Sequence, residues 1–227
     1  MTPVHLVNCH QPLSLRRGRS VVRKARISDL PGIVSIHQKA FANFFLTRLG
    51  RAFLRRYYEL VLDYSQAIFL VSEGRSGLEG FACGFVDPER FYGLMSRNKW
   101  SFALPILSAL VRRPSLVSQI VRSMQRVEKQ ASHRVARSCE LSSIAVMPEV
   151  SGRGVGKALV NAFLKQAWSF GAQHIHLDTE AGDNEPANAF YHKAGFQLSR
   201  RFQKYKGRWM NEYVIHRASV SERLRTV

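Results

Sequence analysis

One stretch of the chain has the residue types and spacing to bind a phosphate group. Residues 151–157 (SGRGVGK) lie between an apolar run of strand type and a helical pattern that extends to Trp168. Glycines let the backbone approach an anion closely, and the free N–H groups of a first helical turn point toward it. The helix dipole and Lys157 add positive potential. The stretch therefore predicts a phosphate-binding turn, and a tight turn without a ligand is the alternative.

Two widespread phosphate-binding patterns do not match this turn. Its glycines, at 152, 154 and 156, are too closely spaced for the dinucleotide pattern G-x-G-x-x-G. The P-loop pattern needs one more residue between its glycines, and Ala158 stands where Ser or Thr would hold magnesium. The turn is therefore neither of these two motifs.

Strand and helix patterns surround the turn. Before it we expect a strand, a helix capped at Ser28 or Asp29, a long amphipathic helix that restarts near Gly50, and a hairpin. After it we expect a strand, a helix that Gly195 ends, and a last hairpin. The predicted strands are 21–26, 67–72, 78–87, 141–146, 174–179, 196–204 and 209–216, and the long helix is 44–64.

Two motifs resemble the GNAT superfamily of acetyl-CoA-dependent N-acetyltransferases. Residues 144–160 (IAVMPEVSGRGVGKALV) are similar to its central motif, a strand, a proline, [Gln/Arg]-x-x-Gly-x-[Gly/Ala] and a helix. Residues 184–196 (NEPANAFYHKAGF) are similar to its Asn followed by a helix ending in Phe-Tyr-x-x-x-Gly-Phe. Ser151 departs from the family pattern, because Gln or Arg is usual there. The resemblance implies an α/β fold with a mixed, mostly antiparallel twisted sheet flanked by helices.

The resemblance also implies an acetyl-CoA site. The central strand is expected to pair with the pantetheine arm, the turn to hold the pyrophosphate, and Asn184 to bond the middle of the arm. His192 and Lys193 are further candidates for the outer phosphate. The expected cofactor-binding residues are Ile144, Ala145, Val146, Ser151, Gly152, Arg153, Gly154, Val155, Gly156, Lys157 and Asn184.

Amide formation from a thioester requires a base for the amine and an acid for the leaving thiolate. Glu140, at the start of the central strand, is the expected base, acting through water, with Asp178 and Glu180 as alternatives. Tyr191 occupies the family's position for the acid. Purely structural roles for Glu140 and Tyr191 stay open. We expect direct transfer without an acyl-enzyme, because nothing near the cysteines in sequence activates them.

The acceptor is predicted less narrowly than the donor. Phe44, Phe45 and Arg48 are candidates for acceptor contact, because the family's first two helices border that site. The net charge of +18 favours an acidic acceptor, and residues 44–58 resemble GNAT proteins of surface-polysaccharide synthesis. An amino sugar carried on a nucleotide or lipid is therefore the leading hypothesis. A protein or peptide N-terminus and a non-catalytic binding protein are the alternatives.

Residues 88–137 have no counterpart in the family pattern and are predicted to be a helical insertion. Helical patterns cover 99–113, which is apolar nearly all round with a kink expected at Pro105, and 114–130. Three roles are open. The insertion can pack over the acceptor site, form a homodimer interface, or contact an anionic membrane through 99–113, since a short apolar helix flanked by Arg and Lys suits such an interface.

Composition sets the remaining limits. We predict a mobile basic extension at 1–20, an acetyltransferase domain at 21–217 and a basic tail at 218–227. Three cysteines without a C-x-x-C pair favour a reducing, cytoplasmic location, with peripheral membrane contact as an option. No run is apolar enough to span a membrane, no signal core begins the chain, and no nucleic-acid-binding module is recognisable. His174 and His176 lack a third ligand nearby, so no metal site is predicted.

Overall fold

A computed structural model describes residues 20–42, 44–118, 120–121, 137–182, 184–205 and 208–218. The predicted extension before residue 20, the end of the tail and most of the predicted 114–130 helix lie outside these ranges. The strands are β1 (Val21–Lys24), β2 (Ala67–Gly74), β3 (Gly77–Val86), β4 (Ser138–Val146), β5 (His174–Glu180), β6 (Gln197–Tyr205) and β7 (Arg208–His216). The helices are α1 (Leu30–Ala40), α2 (Phe45–Arg48), α3 (Arg51–Asp63), α4 (Pro88–Arg97), α5 (Ala103–Arg112), α6 (Val155–Ser169) and α7 (Glu185–Lys193).

The seven strands form one sheet in the order β1-β2-β3-β4-β5-β7-β6. Every neighbouring pair is antiparallel except β4 and β5, which are parallel. A parallel pair needs a crossover connection, and α6 supplies it between β4 and β5. The predicted mixed, mostly antiparallel sheet is confirmed.

Each face of the sheet has its own core. On one face, α1, α3 and the helices after β3 bury aromatic side chains such as Tyr58, Phe81 and Phe91. On the other face, α6 packs Leu159 and Phe163 against β2, β3 and β4. Because side chains alternate along a strand, Ile175 and Leu177 of β5 point to the α6 core while His176 between them points to the other face.

The long amphipathic helix predicted over 44–64 is divided at Gly50. Gly50 has φ 93°, a conformation that favours glycine, and it separates α2 from α3. The predicted restart at this residue is confirmed. The division allows the chain to change direction between α2 and α3.

The segment between β3 and β4 differs in detail from the sequence prediction. Residues 88–97 form α4, a helix that was not predicted. The predicted kink at Pro105 is wrong, because Pro105 lies in the first turn of α5, where a proline disrupts no intrahelical hydrogen bond. Residues 99–102 form a short 3-10 turn that connects the two helices.

β4 approaches β3 closely at Gly84. A Cβ atom at Gly84 would lie 2.0 Å from the Glu140 carbonyl oxygen and 2.7 Å from the ring of Phe163. The register shifts beside this contact, since Cys83 pairs with Ser143 but Gly84 pairs with Leu141. The intervening Ser142 is therefore a bulge, which bends β4 directly after Glu140.

Replacing Gly84 tests this close approach. We expect Gly84→Ala to destabilise the protein by at least about 2 kcal/mol, because its methyl group would overlap the β4 backbone. Gly93→Ala is the matched control: no atom lies within 4 Å of its Cβ position. That variant should gain about 0.5–1 kcal/mol from helix propensity. Urea unfolding measures both, and equal free energies of unfolding would contradict the packing.

A buried histidine belongs to the first core. His37 Nδ1 lies 2.7 Å from the Tyr58 hydroxyl oxygen, and Nε2 has no described hydrogen-bond partner. Burial lowers the pKa of His37 to about 4. The folded protein therefore holds this imidazole neutral at pH values where an unfolded chain would protonate it.

This shift predicts a pH-dependent stability. Between about pH 6.5 and pH 4 the unfolded chain binds a proton at His37 that the folded protein does not, so stability falls as pH falls through this window. The full loss attributable to His37 is about 3 kcal/mol. Urea unfolding of wild type and His37→Gln from pH 7 to pH 4 isolates the contribution of His37. The carboxylates titrate in both proteins, so their effect cancels in the comparison. Parallel stability curves would refute the assignment.

Candidate active site

β4 and β5 are hydrogen-bonded neighbours over only part of their length. The parallel pairing runs from Ser138–His174 to Glu140–His176, although both strands continue beyond it. Beyond Glu140 the β5-facing N–H and C=O groups of residues 141–146 have no strand partner among the described residues. Such groups are strong hydrogen-bonding partners for an extended ligand.

Glu140 lies where the two strands separate, on the face covered by α4. The Tyr92 hydroxyl of α4 donates to the Glu140 carboxylate, at 2.9 Å from Oε1 and 3.1 Å from Oε2. His176 Nε2 lies 3.9 Å from Oε2. The predicted base is therefore positioned at the strand gap and held there by α4.

The bulged residue after Glu140 is also held by a helix. The Tyr57 hydroxyl of α3 lies 3.1 Å from Ser142 Oγ. Burial raises the pKa of Tyr57 well above its usual range, so this phenol stays neutral. The contact holds β4 from the same face as Tyr92, so α3 and α4 fix the strand at Ser142 and at Glu140.

Tyr191, the predicted acid, lies on the opposite face of the sheet. Its ring packs against Phe190, Phe196 and Tyr213 at centroid distances of 5.4, 6.0 and 5.9 Å. Its hydroxyl makes no hydrogen bond to the described residues. Burial raises the pKa of Tyr191 above its usual range, so the phenol holds its proton at neutral pH. It can therefore serve as a proton donor.

The glycine-rich turn has the conformation that the sequence predicted. Gly152 and Gly154 have φ values of 77° and 84°, and Gly154 is the N-cap of α6 without a side-chain cap. No described backbone acceptor receives the N–H groups of Val155, Gly156 or Lys157. These donors and the helix dipole together favour an anion at this point.

The turn, the end of β4 and α7 converge. A Cβ atom at Gly156 would lie 3.5 Å from the Phe190 ring and 3.6 Å from Val146 Cγ2. Phe190 is the neighbour of Tyr191 in α7. The structure therefore brings together the predicted strand residues 144–146, the predicted turn 151–157 and the predicted acid.

Positive charge at the turn comes from two exposed side chains. Arg153 and Lys157 are solvent-exposed, and neither side chain forms an ion pair with a described residue. Ser151, where the family has Gln or Arg, is exposed as well. Arg153 is thus available to supply the charge that Ser151 lacks. His192 and Lys193 lie exposed in the last turn of α7.

Asn184 precedes α7 and points its amide to β5. Its Nδ2 donates to Thr179 Oγ1 at 2.9 Å. The next asparagine, Asn188, binds two strands: Nδ2 donates to the Glu180 carbonyl of β5 at 3.0 Å, and Oδ1 accepts from Asn211 and from Tyr213 of β7, each at 3.0 Å. Asn188 therefore fixes α7, and with it Tyr191, to β5 and β7.

The predicted acceptor-contact residues lie at the α1–α2 junction. Phe44 and Phe45 are half-buried, as is Arg48. The Arg208 guanidinium of β7 lies 4.8 Å from the centroid of the Phe44 ring and forms an ion pair with Glu180 at the end of β5. Arg208 therefore links Phe44 to the end of β5. The structure gives Phe45 and Arg48 no such contact.

Other ionisable groups are less suited to the chemistry than Glu140. Glu180 is already paired with Arg208, and Asp178 is exposed. Burial raises the pKa of the Cys83 and Cys139 thiols far above their usual range, so neither is an activated nucleophile. Among the described residues, no group of three His, Cys, Asp or Glu side chains is arranged to hold a metal ion.

Sequence reasoning missed Tyr92, His176 and Arg208 as site residues. His176 was considered only as a metal ligand, although the β4–β5 register places it beside Glu140. That register is the signal that could have identified it. Tyr92 comes from α4, a helix the sequence did not predict, and no local pattern connects Arg208 with Phe44.

This geometry suits an acyl-CoA. The neighbouring strands β4 and β5 separate, and the 151–157 turn favours an anion. A carboxylate lies on one face of the sheet and a phenol on the other. Residues 123–196 match the model of the Acetyltransferase (GNAT) family. This part of the chain is therefore similar to a GNAT acetyltransferase domain.

Known proteins agree with this assignment. The chain is 37% identical over 65 residues to N-alpha-acetyltransferase 30 of Schizosaccharomyces pombe, an alignment that covers 29% of this chain and 43% of that relative. The ribosomal-protein-S18-alanine N-acetyltransferase of Escherichia coli superposes with a TM-score of 0.55 at 14% identity, covering 87% of this chain and 94% of the other. The yncA protein of Salmonella typhimurium, solved with its cofactor acetyl-CoA, gives 0.57 at 15% identity, covering 87% and 94%. At these identities the two structures show a shared fold.

The turn predicts a charge-dependent affinity for coenzyme A. We expect Arg153→Ala and Lys157→Ala each to raise the dissociation constant about 2- to 5-fold at low salt, since one charge near a helix N-terminus contributes about 0.3–1 kcal/mol. Lys165→Ala is the matched control, because Lys165 is also exposed on α6 but lies two turns farther along. Calorimetry measures all three. An equal effect of Lys165→Ala would show that only overall charge matters.

Proposed function

We propose that the protein transfers an acetyl group from acetyl-CoA to a primary amine by direct attack. The observation that carries this proposal is the separation of β4 and β5 at Glu140. It leaves an open strand edge leading from the anion-binding turn, with a carboxylate on one face of the sheet and a protonated phenol on the other. A thioester in this gap is accessible to a base from one side and to an acid from the other.

Each residue has a defined part in the reaction. The carboxylate of Glu140 accepts a proton from the acceptor ammonium through water, which leaves a neutral amine. The amine nitrogen attacks the thioester carbonyl carbon, a C–N bond forms and the C–S bond breaks, and the nitrogen gives up a second proton to water, from which Tyr191 is later reprotonated. Tyr191 donates its phenolic proton to the departing thiolate. Residues 141–146 hold the pantetheine arm, and the 151–157 turn holds the pyrophosphate.

For the acceptor we favour the α-amine of a peptide or protein N-terminus. The face of β5 and β7 beside Glu140 carries three carboxylates, those of Asp178, Glu180 and Glu212. A cationic amine suits this face better than an acidic one. An α-amine, with a pKa near 7.7–8.0, also needs less help from a base than a lysine amine. The N-terminal acetyltransferase names among the similar proteins support the same acceptor.

An amino sugar remains the second acceptor to test. It follows from the net charge of +18 and the sequence of residues 44–58. A panel of N-terminal peptides, free amino sugars and nucleotide-linked amino sugars, with acetyl-CoA as donor and free thiol as readout, separates the two. Turnover confined to amino sugars would overturn the peptide assignment, and no binding of coenzyme A in calorimetry would overturn the enzyme proposal.

The two proposed groups give a direct test. We expect Glu140→Gln and Tyr191→Phe each to lower kcat by about 10²–10⁴-fold, because each removes a proton-transfer group. Affinity for coenzyme A should change little. Glu73→Gln, an exposed carboxylate on β2, is the control and should retain activity. Coenzyme A binding with wild-type turnover in both variants would contradict the assigned roles.

A further inference from the structure

α5 and the turn before it expose an apolar stripe. Trp100 is 80% exposed, Leu104 79%, Leu107 59% and Val111 78%. They recur every three or four residues, so they lie along one side of the helical segment. We name these four residues the outer stripe.

The outer stripe is not a requirement of the core. The opposite side of the same segment is buried: the Phe102 ring lies 5.2 Å from the Phe53 ring, and Ala109 is 2% exposed. This inner side attaches α5 to α3. Large apolar side chains that project away from such an attachment, and lie together, mark a surface that binds something.

The charged residues near the outer stripe in the sequence all have one sign. From residue 90 to residue 121 the chain contains Arg90, Arg97, Lys99, Arg112 and Arg113 and no Asp or Glu. All five side chains are exposed. Long cationic side chains can lay their methylene groups along an apolar surface while the charges reach anions above it. The surface therefore suits a partner that has an apolar interior to accept the stripe and anionic groups at its surface to pair with the cations.

We propose that the outer stripe and its cationic border bind the surface of an anionic lipid bilayer. An amphipathic helix with Trp and Leu on one side and basic residues beside them lies in the interface between headgroups and acyl chains. Among the described residues no helix has the length and apolarity to cross a bilayer, and α5, with ten residues, fits an in-plane position. Anionic headgroups attract the cationic border.

A second copy of the chain fits this surface less well. Symmetric pairing through the outer stripe would bring two sets of five cations together, with no acidic residue between 90 and 121 to separate them. A membrane with anionic lipids offers the opposite charge and removes the apolar side chains from water. Charge complementarity therefore favours the bilayer over a dimer.

The proposal is independent of the proposed chemistry. α4, which precedes the outer stripe in the chain, contacts Glu140 through Tyr92, so the segment between β3 and β4 joins the lipid-binding surface to the candidate base. Binding to vesicles is nevertheless measurable without acetyl-CoA or acceptor. Failure of either proposal can thus be distinguished from failure of the other.

Vesicle flotation of the full chain provides the test. We expect binding to vesicles of phosphatidylcholine mixed with phosphatidylglycerol, at least 10-fold weaker binding to phosphatidylcholine alone, and weakening as salt is raised. The combined variant Trp100→Ser, Leu104→Gln and Val111→Ser should lose at least 10-fold in affinity. Val21→Thr with Ile27→Ser is the matched control, since Val21 and Ile27 are 60% and 70% exposed elsewhere on the surface. The control should bind as wild type does.

Other outcomes would overturn the proposal. Equal binding of the stripe variant and wild type would show that the stripe does not contact lipid. Equal binding to neutral and anionic vesicles would show that the five cationic residues beside the stripe do not contribute to binding. A wild-type dimer in analytical ultracentrifugation that the stripe variant abolishes, with no vesicle binding, would identify a second copy as the occupant. Circular dichroism and thermal unfolding confirm that each variant is folded, as expected for exposed positions.

Discussion

The separation of β4 from β5 after three residue pairs is the constraint on which the rest of the site depends. A sheet normally pairs its interior backbone groups, and here one interior strand edge is left open. The bulge at Ser142 and the close contact at Gly84 bend β4 at the point where pairing ends. In the reaction proposed above, this opening lets Glu140 and Tyr191, which are supported by separate cores, act on one ligand.

Local chemistry made part of this arrangement predictable. Gly154 and Gly195 adopt the positive φ values that a turn into α6 and an end after α7 require, and such requirements are visible in the sequence. The contacts of Tyr92 and Arg208 were not predictable, because each joins residues that are distant in sequence. The error at Pro105 has a local cause: α5 begins at Ala103 rather than Lys99, and a proline is harmless in a first turn.

The charge of the molecule is distributed unevenly, which changes its functional meaning. The net charge of +18 suggested an acidic acceptor. The exposed cations of residues 90–113 lie instead on the segment after β3, whereas the strands beside Glu140 carry carboxylates. The net charge does not say which part of the surface carries the charged residues. The same protein can therefore bind an anionic partner at one surface and a cationic partner at another.

The contact of Arg208 with both Phe44 and Glu180 has a consequence for how an acceptor is selected. A cationic acceptor that approached Glu180 or the Phe44 ring would compete with a cation already bound there. The affinity of the acceptor would then depend on how much more strongly Glu180 and the Phe44 ring attract the acceptor cation than they attract Arg208. Replacing Arg208 in this way would select among acceptors by shape and hydrogen-bond geometry more than by charge. It would also release Arg208 to interact with the rest of the acceptor.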